Sequence, residues 1–313
     1  MGRSFFRKLF FWPNFFTIAV RAKRDETDSL VTTHTFRTKA VMHSTLRHWV
    51  ADPMLATDGD ETYLFYEACH RGKGRIEVCA VTQAGKPGRA RTVLEKEYHL
   101  SYPFVFRYHG QWYMIPESCA ANEVQLYKAT SFPDKWEYQK TLLNQYAVDT
   151  TVQELDGRLL MLTFTAQKAD EAVTPHAYWI DDMEGIAEPK EIRWESFNPY
   201  RVRGAGGLIQ IHDRLMRPVQ VNRKDSYGCG LVFNELLIKD DTLSEQEIFQ
   251  ISTAEISTPV RSASGLHTYS SEGSIEAIDV RCDLFDLLKP AKKVLELLCT
   301  RLNRTRETEK HQQ

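Results

Sequence analysis

The chain has 313 residues, 42% of them hydrophobic and 11% aromatic, enough for a sizeable core in one large all-β domain or two smaller ones. Lys and Arg number 40 against 42 Asp and Glu, a net charge of −2, which excludes the broad positive field that nucleic-acid binding needs. Six cysteines with no CxxC pair and no metal-ligand spacing exclude a disulfide framework, and read as reduced thiols of a cytoplasmic protein without metal or cofactor.

The first 14 residues form a basic, aromatic arm (Phe5, Phe6, Arg7, Lys8, Phe10, Phe11, Trp12), broken by Pro13 and Asn14. It lacks the apolar run and cleavage site of a signal peptide and is too short to span a bilayer. A weak membrane-surface contact through its Phe and basic residues is one reading. A plain arm leading into a strand at residues 15–22 is the other. Residues 23–46, charged and Thr-rich, carry no clear element signal.

From His48 the chain becomes repetitive. His48–Leu55 runs through a turn at Asp58-Gly59 into the aromatic strand Thr62–Glu67. Ser101–Phe106 turns at His109-Gly110 into Gln111–Glu117, and Val148–Val152 turns at Asp156-Gly157 into Arg158–Phe164. Gly206–Ile211 turns at His212-Asp213 into Arg214–Gln220, and a weaker copy begins at Gly265 and turns at Glu272-Gly273. A period of about 50 residues made only of short strands predicts propeller blades, five of them. Further strands are expected at 75–81, 124–129, 176–180, 230–238 and 274–280. The strand at 15–22, pairing with the fifth blade, would hide the edges that an unclosed ring exposes. The domain so defined spans 15–282. Leu284, Leu287, Leu288, Val294, Leu295, Leu298 and Leu302 then recur at helical spacing, predicting a C-terminal helix over 283–303 before a polar, disordered tail at 304–313.

In such a repeat the start of each first strand and the end of each second strand share one face. That gathers Asp52, Asp149, Glu117, Glu67, Arg217 and His267 around one mouth. Carboxylates from separate blades beside an Arg and a His suit glycosyl chemistry, one as base or nucleophile and another, with raised pKa, as acid. Asp52, Asp149 and Glu117 are the candidate catalytic set. Trp49, Tyr102, Arg203, Arg217 and His267 are candidates for substrate contact, the aromatics by stacking on a sugar ring and the arginines by pairing with anionic groups. Each has a plainer role open to it. Asp before Pro is a turn device, Glu67 could be a solvated strand end, His267 a satisfied channel histidine, and Arg203 and Arg217 ion pairs between blades.

The phrases His48–Pro53, Tyr98–Phe106, Trp112–Ser118, Ala147–Val152, Arg217-Pro218, Tyr227-Gly228, Phe233–Glu235 and Gly265–Thr268 resemble the N-terminal domain family of glucosamine inositolphosphorylceramide transferases, over about residues 15–282. The resemblance implies a five-bladed propeller similar to those of arabinanases and β-xylosidases, whose acidic triad would fall on Asp52 and Asp149 with Glu117 the nearest third acid. The sequence departs from those hydrolases at Tyr102, and it has no Glu at the start of the fourth blade. In plant members the glycosyltransferase domain is a separate C-terminal unit. The expectation is a carbohydrate-active protein of surface polysaccharide or glycolipid biosynthesis, transferring or trimming a sugar at the mouth. The alternatives are a non-catalytic glycan-binding module and a scaffold, partnering a glycosyltransferase or a formyltransferase-like protein.

Overall fold

The computed structural model describes residues 11–285, except 46, 166–172, 186–187, 196, 224–225 and 261, together with Leu288 and Pro290. After β1 (Phe11–Ala22) come a 3-10 turn (Glu26–Asp28), a single-turn helix (Leu30–Thr33) and the short strands β2 (Phe36–Arg37) and β3 (Ala40–Val41). The chain then lays down antiparallel meanders. β4 (His48–Asp58), β5 (Glu61–His70), β6 (Lys73–Val81) and β7 (Arg91–Leu94) form one sheet. β8 (Ser101–Tyr108), β9 (Gln111–Glu117), β10 (Val124–Ser131) and β11 (Lys135–Leu143) form the next.

β12 (Val148–Leu155), β13 (Arg158–Thr165), β14 (Thr174–Ile180) and β15 (Lys190–Trp194) are followed by β16 (Ile209–Ile211), β17 (Arg214–Arg223), β18 (Ser226–Lys239) and β19 (Thr242–Ile251). These two meanders join into one eight-stranded sheet, because β15 meets β19 in a short parallel pairing, Arg193 with Thr242 and Trp194 with Leu243. Among the described residues β20 (Ile256–Ser257) pairs only with β2. β21 (Ala263–Glu272) and β22 (Ile275–Phe285) complete the last sheet, in the order β21-β22-β1-β3. The strands expected near 75, 124, 176, 230 and 274 are β6, β10, β14, β18 and β22.

Tight turns follow the sequence signals. His109-Gly110 and Asp156-Gly157 both have φ > 0 at the two central positions, the type I′ geometry whose twist matches paired strands. The first strands of successive meanders meet one another, β4 with β8 and β21, and β8 with β12. A central cavity of about 460 Å³ lies among them, lined by segments such as Met54–Thr57, Phe104–Arg107 and Tyr269–Glu272. The arrangement is all-β and propeller-like. Apolar residues pack between neighbouring sheets, as with Phe65, Met114, Leu126 and Met161, all buried.

Residues 11–14, assigned to an arm by sequence, are already strand. β1 zips antiparallel along β22 from Phe11↔Phe285 to Ala22↔Ile275. Flanked by β22 and β3, it is an inner strand, and Phe16 through Arg21 are buried without alternation. Arg21 and Glu276 lock this seam. Arg21 Nε donates to Glu276 Oε2 at 2.7 Å, while Glu276 Oε1 accepts from Leu30 N at 2.9 Å and from Tyr269 Oη at 2.6 Å. The helix expected over 283–303 does not begin at 283. β22 continues through Phe285, held by its pairing with β1. The rest of that helix lies outside the described residues apart from positions 288 and 290, as do residues 1–10 of the arm and the tail 304–313. Among the described residues no helix is long and apolar enough to cross a membrane.

Candidate functional site

The same irregularity interrupts four first strands. The β4/β5, β8/β9, β12/β13 and β21/β22 registers shift between Ala51 and Met54, Ser101 and Phe104, Val148 and Thr151, and Leu266 and Tyr269. Such bulges re-aim side chains. Asp52, Tyr102 and Asp149 sit in them with φ of 54°, 42° and 51°, a left-handed conformation that non-glycine residues adopt at a cost of about 1–3 kcal/mol. The repeat seen in the sequence is therefore a repeat of strained backbone at one end of the sheets.

Asp52 is buried, and its side chain is fully engaged. Oδ2 accepts from Tyr102 N at 3.1 Å and Oδ1 from Thr268 Oγ1 at 3.0 Å. His267 Nε2 stands 3.5 Å from Oδ1, and His267 Nδ1 is hydrogen-bonded to Asp279. Asp279, wholly buried, also accepts from His267 N (3.0 Å), Thr268 N (2.8 Å) and Asp52 N (3.1 Å). Asp52, His267 and Asp279 offer ligand-type atoms within 4.8 Å of one another. With Nδ1 bonded to Asp279 and Nε2 turned to Asp52, the three read as an ion-paired chain. Burial pushes the Asp52 carboxyl up to about 8, although His267 pulls the other way. Burial would lower His267, but Asp279, with Asp52 and Asp149 behind it, outweighs this and holds the imidazole at about 9.

The second half of the site is built around Arg203. Its Nε donates to Asp149, its Nη2 donates to Asp149 Oδ1 at 3.2 Å, and Glu117 Oε2 lies 3.5 Å from Nη2. Gln220 Nε2 adds a bond to Asp149 Oδ2 at 3.2 Å. Glu117 is held loosely, since its closest backbone donor, Asp149 N, is 3.4 Å away. Burial and then the Asp149 charge push its carboxyl up to about 7, with Arg203 opposing. Over these groups lies an aromatic cluster. Phe16 stacks on His267 at 4.1 Å between centroids, Tyr227 meets His267 edge-on at 5.2 Å, and Arg203 lies over Tyr227 at 5.1 Å.

Of the residues singled out by sequence, Asp52, His267, Asp149, Arg203 and Glu117 come together. Trp49 stands at the margin, half-buried, 6.1 Å from Phe16. Two others are put to different use. Tyr102 is fully buried with its hydroxyl accepting from Gly206 N at 2.7 Å, a cross-brace with no face open for stacking. Arg217 is 2% exposed and committed elsewhere. It pairs with Glu245 through Nε and Nη2, donates to Val202 O at 2.8 Å, and lies over Phe164 and Trp194. That is an ion pair within one meander, β17 to β19, and neither a substrate contact nor a pair between blades. Sequence reasoning gave no site role to Asp279, Thr268, Gln220, Phe16 and Tyr227, although Thr268 and Tyr227 stood within the family-like phrases. An acid between Ile278 and Val280 was the available signal for Asp279.

The family model described as "Glucosamine inositolphosphorylceramide transferase 1, N-terminal" matches residues 27–248. The glucosamine inositolphosphorylceramide transferase 1 of Oryza sativa subsp. japonica is 36% identical over 211 residues, 65% of this chain and 28% of that protein. Its Arabidopsis thaliana counterpart is 34% identical over 122 residues, 35% of this chain and 15% of that protein. The chain thus spans less than a third of the length of these relatives. Among solved structures, the catalytic domain of Coprinopsis cinerea GH62 α-L-arabinofuranosidase aligns with a TM-score of 0.56 at 10% identity, covering 79% of this chain and 97% of that one. The RS223 β-xylosidase aligns at 0.54 and 10% identity, covering 75% and 92%. At such identities the likeness is one of fold.

Proposed function

The chain belongs to the glucosamine inositolphosphorylceramide transferase 1 N-terminal family, and from that premise we propose that it acts on a sugar in surface polysaccharide or glycolipid biosynthesis, at the mouth formed by the bulged strand starts. The eight-stranded sheet is read as two blades joined at their outer edges, which makes five blades in all. The observation that carries the functional reading is the convergence of Asp52, Glu117 and Asp149, from three successive meanders, on Arg203 and His267.

Acid–base work on a glycosidic oxygen needs a carboxyl that still holds its proton near neutral pH. Glu117, raised to about 7 and loosely held, fits that role. It would protonate the departing oxygen as the C–O bond breaks, or take the proton of an accepting hydroxyl as a new bond forms. Asp52 is the second carboxyl of the pair, and Asp149 with Arg203 supplies the charge that tunes Glu117. Cytoplasmic placement, a membrane-surface contact of the N-terminal arm, and a glycosyltransferase or formyltransferase-like partner belong to the same proposal.

One observation favours the second reading, a glycan-binding module without turnover. The oxygens of Asp52 and Asp149 are already taken by Tyr102 N, Thr268, Arg203 and Gln220. Calorimetry against a glycan panel, paired with product assays on activated sugars, separates the two. If the mouth is catalytic, Glu117→Gln and Asp52→Asn abolish product and leave affinity within about tenfold, since one altered hydrogen bond is worth about 1.4 kcal/mol or less. Binding by the wild type with no product from any donor would remove the enzyme reading.

A further inference from the structure

Most carboxylates around the mouth are answered by protein donors. Glu67 is not. It lies on β5 opposite Ala51, the residue before Asp52, and is 4% exposed. Its Oε1 is buried and receives no hydrogen bond of proper geometry among the described residues. The polar atom that approaches it is His99 Nε2, at 3.2 Å. A buried carboxylate approached by a single donor of poor geometry keeps acceptor capacity to spare, which a ligand hydroxyl can use.

His99 is held to that position from behind. Its Nδ1 accepts from Gly74 N at 2.9 Å. A ring nitrogen that accepts carries no proton, so the imidazole proton sits on Nε2, the nitrogen turned to Glu67. Gly74 makes this approach feasible. A Cβ there would overlap the Leu100 carbonyl oxygen and come within 2.7 Å of Glu67 Oε1 and 2.8 Å of His99 Cε1. The bond from Leu100 N to Gly74 O, 3.0 Å, ties the strand to the His99 segment. The His99 side chain is 37% exposed and that of Glu67 5%, so the pair reaches solvent on its histidine side. Both Asp52 and Glu117 feel the Glu67 charge, which sets it in the same acidic ring.

We propose that Glu67 is a ligand-contacting carboxylate of the mouth, accepting a hydroxyl of the bound sugar, and that His99 is its positioning residue. The proposal rests on the mouth being a glycan site. A hydroxyl donor suits the place better than a cation, because Arg203, His267 and His99 already interleave the acids of the ring. A sugar presents such hydroxyls at its edge.

The test uses the full chain on a printed glycan array, followed by calorimetry with the glycan bound best. Glu67→Gln should keep its melting profile and lose at least about tenfold in affinity. His99→Gln should lose less, and the double variant should be no weaker than Glu67→Gln alone, because His99 acts only through Glu67. A merely structural role for His99 would instead add its loss to the first. If Glu67→Gln fails to fold, Glu67→Asp retains the charge but withdraws it by one methylene, and should show the same loss. Wild-type binding undiminished in the Glu67 variants overturns this proposal alone. A wild type that binds nothing on the array overturns the reading of the mouth, and this proposal with it.

Discussion

Asp279 and His267 stand on adjacent antiparallel strands, and one carboxylate holds the other residue by both its ring Nδ1 and its backbone N–H. His267 is thereby raised above its ordinary range, to about 9. A histidine raised in the folded state binds its proton more tightly there than when unfolded. Its contribution is complete below about pH 6.5 and is lost as pH rises through about 9. Asp52, raised to about 8, acts in the same direction. Urea unfolding at a series of pH values should therefore show stability falling from about pH 6.5 to 9, and Asp279→Asn should flatten that slope. A wild-type stability that rises over this interval would contradict the assignment.

Arg217 is predicted to matter for folding and not for ligand. Replacing it with Met leaves Glu245 buried without its partner, and breaking a buried pair on one side costs about 3–5 kcal/mol. Denaturant midpoints of Arg217→Met and of the double variant Arg217→Met/Glu245→Leu report this. The double variant should recover most of the loss, since it removes both charges. Equal instability in both would mean that the stacking on Phe164 and Trp194 is what counts.

Gly206 allows almost no substitution. It has φ of 132°, its N–H donates to Tyr102 Oη at 2.7 Å, and a Cβ would overlap the Tyr269 carbonyl oxygen. Gly206→Ala combines left-handed strain with overpacking, each about 1–3 kcal/mol. Its melting temperature should fall well below that of Gly110→Ala, whose Cβ meets nothing within 4 Å and which carries only the φ penalty. Similar melting of the two variants would contradict the close approach.

The buried thiols should be inert in the folded protein. Burial pushes Cys69 and Cys79 up to about 11 and Cys282 to about 12, so little thiolate is present at pH 8. A disulfide reagent at that pH should label these three only after denaturant is added, which peptide mapping would show. Rapid labelling of Cys79 in the native state would count against the burial of β6.

The strand starts were legible because a bulge leaves a signature, the Asp-Pro, Tyr-Pro and Asp-Thr pairs at a regular spacing, and four of the five turns that follow the first strands are Gly-marked, His212-Asp213 being the exception. The partner of an arginine is not written beside it. Arg203 and Arg217 look alike in sequence, yet one pairs with Asp149 beside Glu117 while the other is sealed against Glu245. Tyr102 shares its register with Asp52, and register alone does not reveal that its ring is buried. Asp279 and Glu276 are wholly buried because β1 covers β22 from the far end of the chain. In isolation β22 alternates as a half-solvated strand would. The helical spacing after residue 283 likewise gave no sign that the pairing with β1 would draw 283–285 into the strand.

The seam between β1 and β22 sets a condition on how the chain is made. Arg21 and Glu276 are 255 residues apart, so β1 leaves the ribosome long before its partner is translated. Throughout that interval an apolar strand with unpaired backbone is exposed to its surroundings, the kind of segment that aggregates or attracts chaperones. The β1–β22 seam can close only once β22 has been made, and a chain stalled before β22 would carry an open β1 edge.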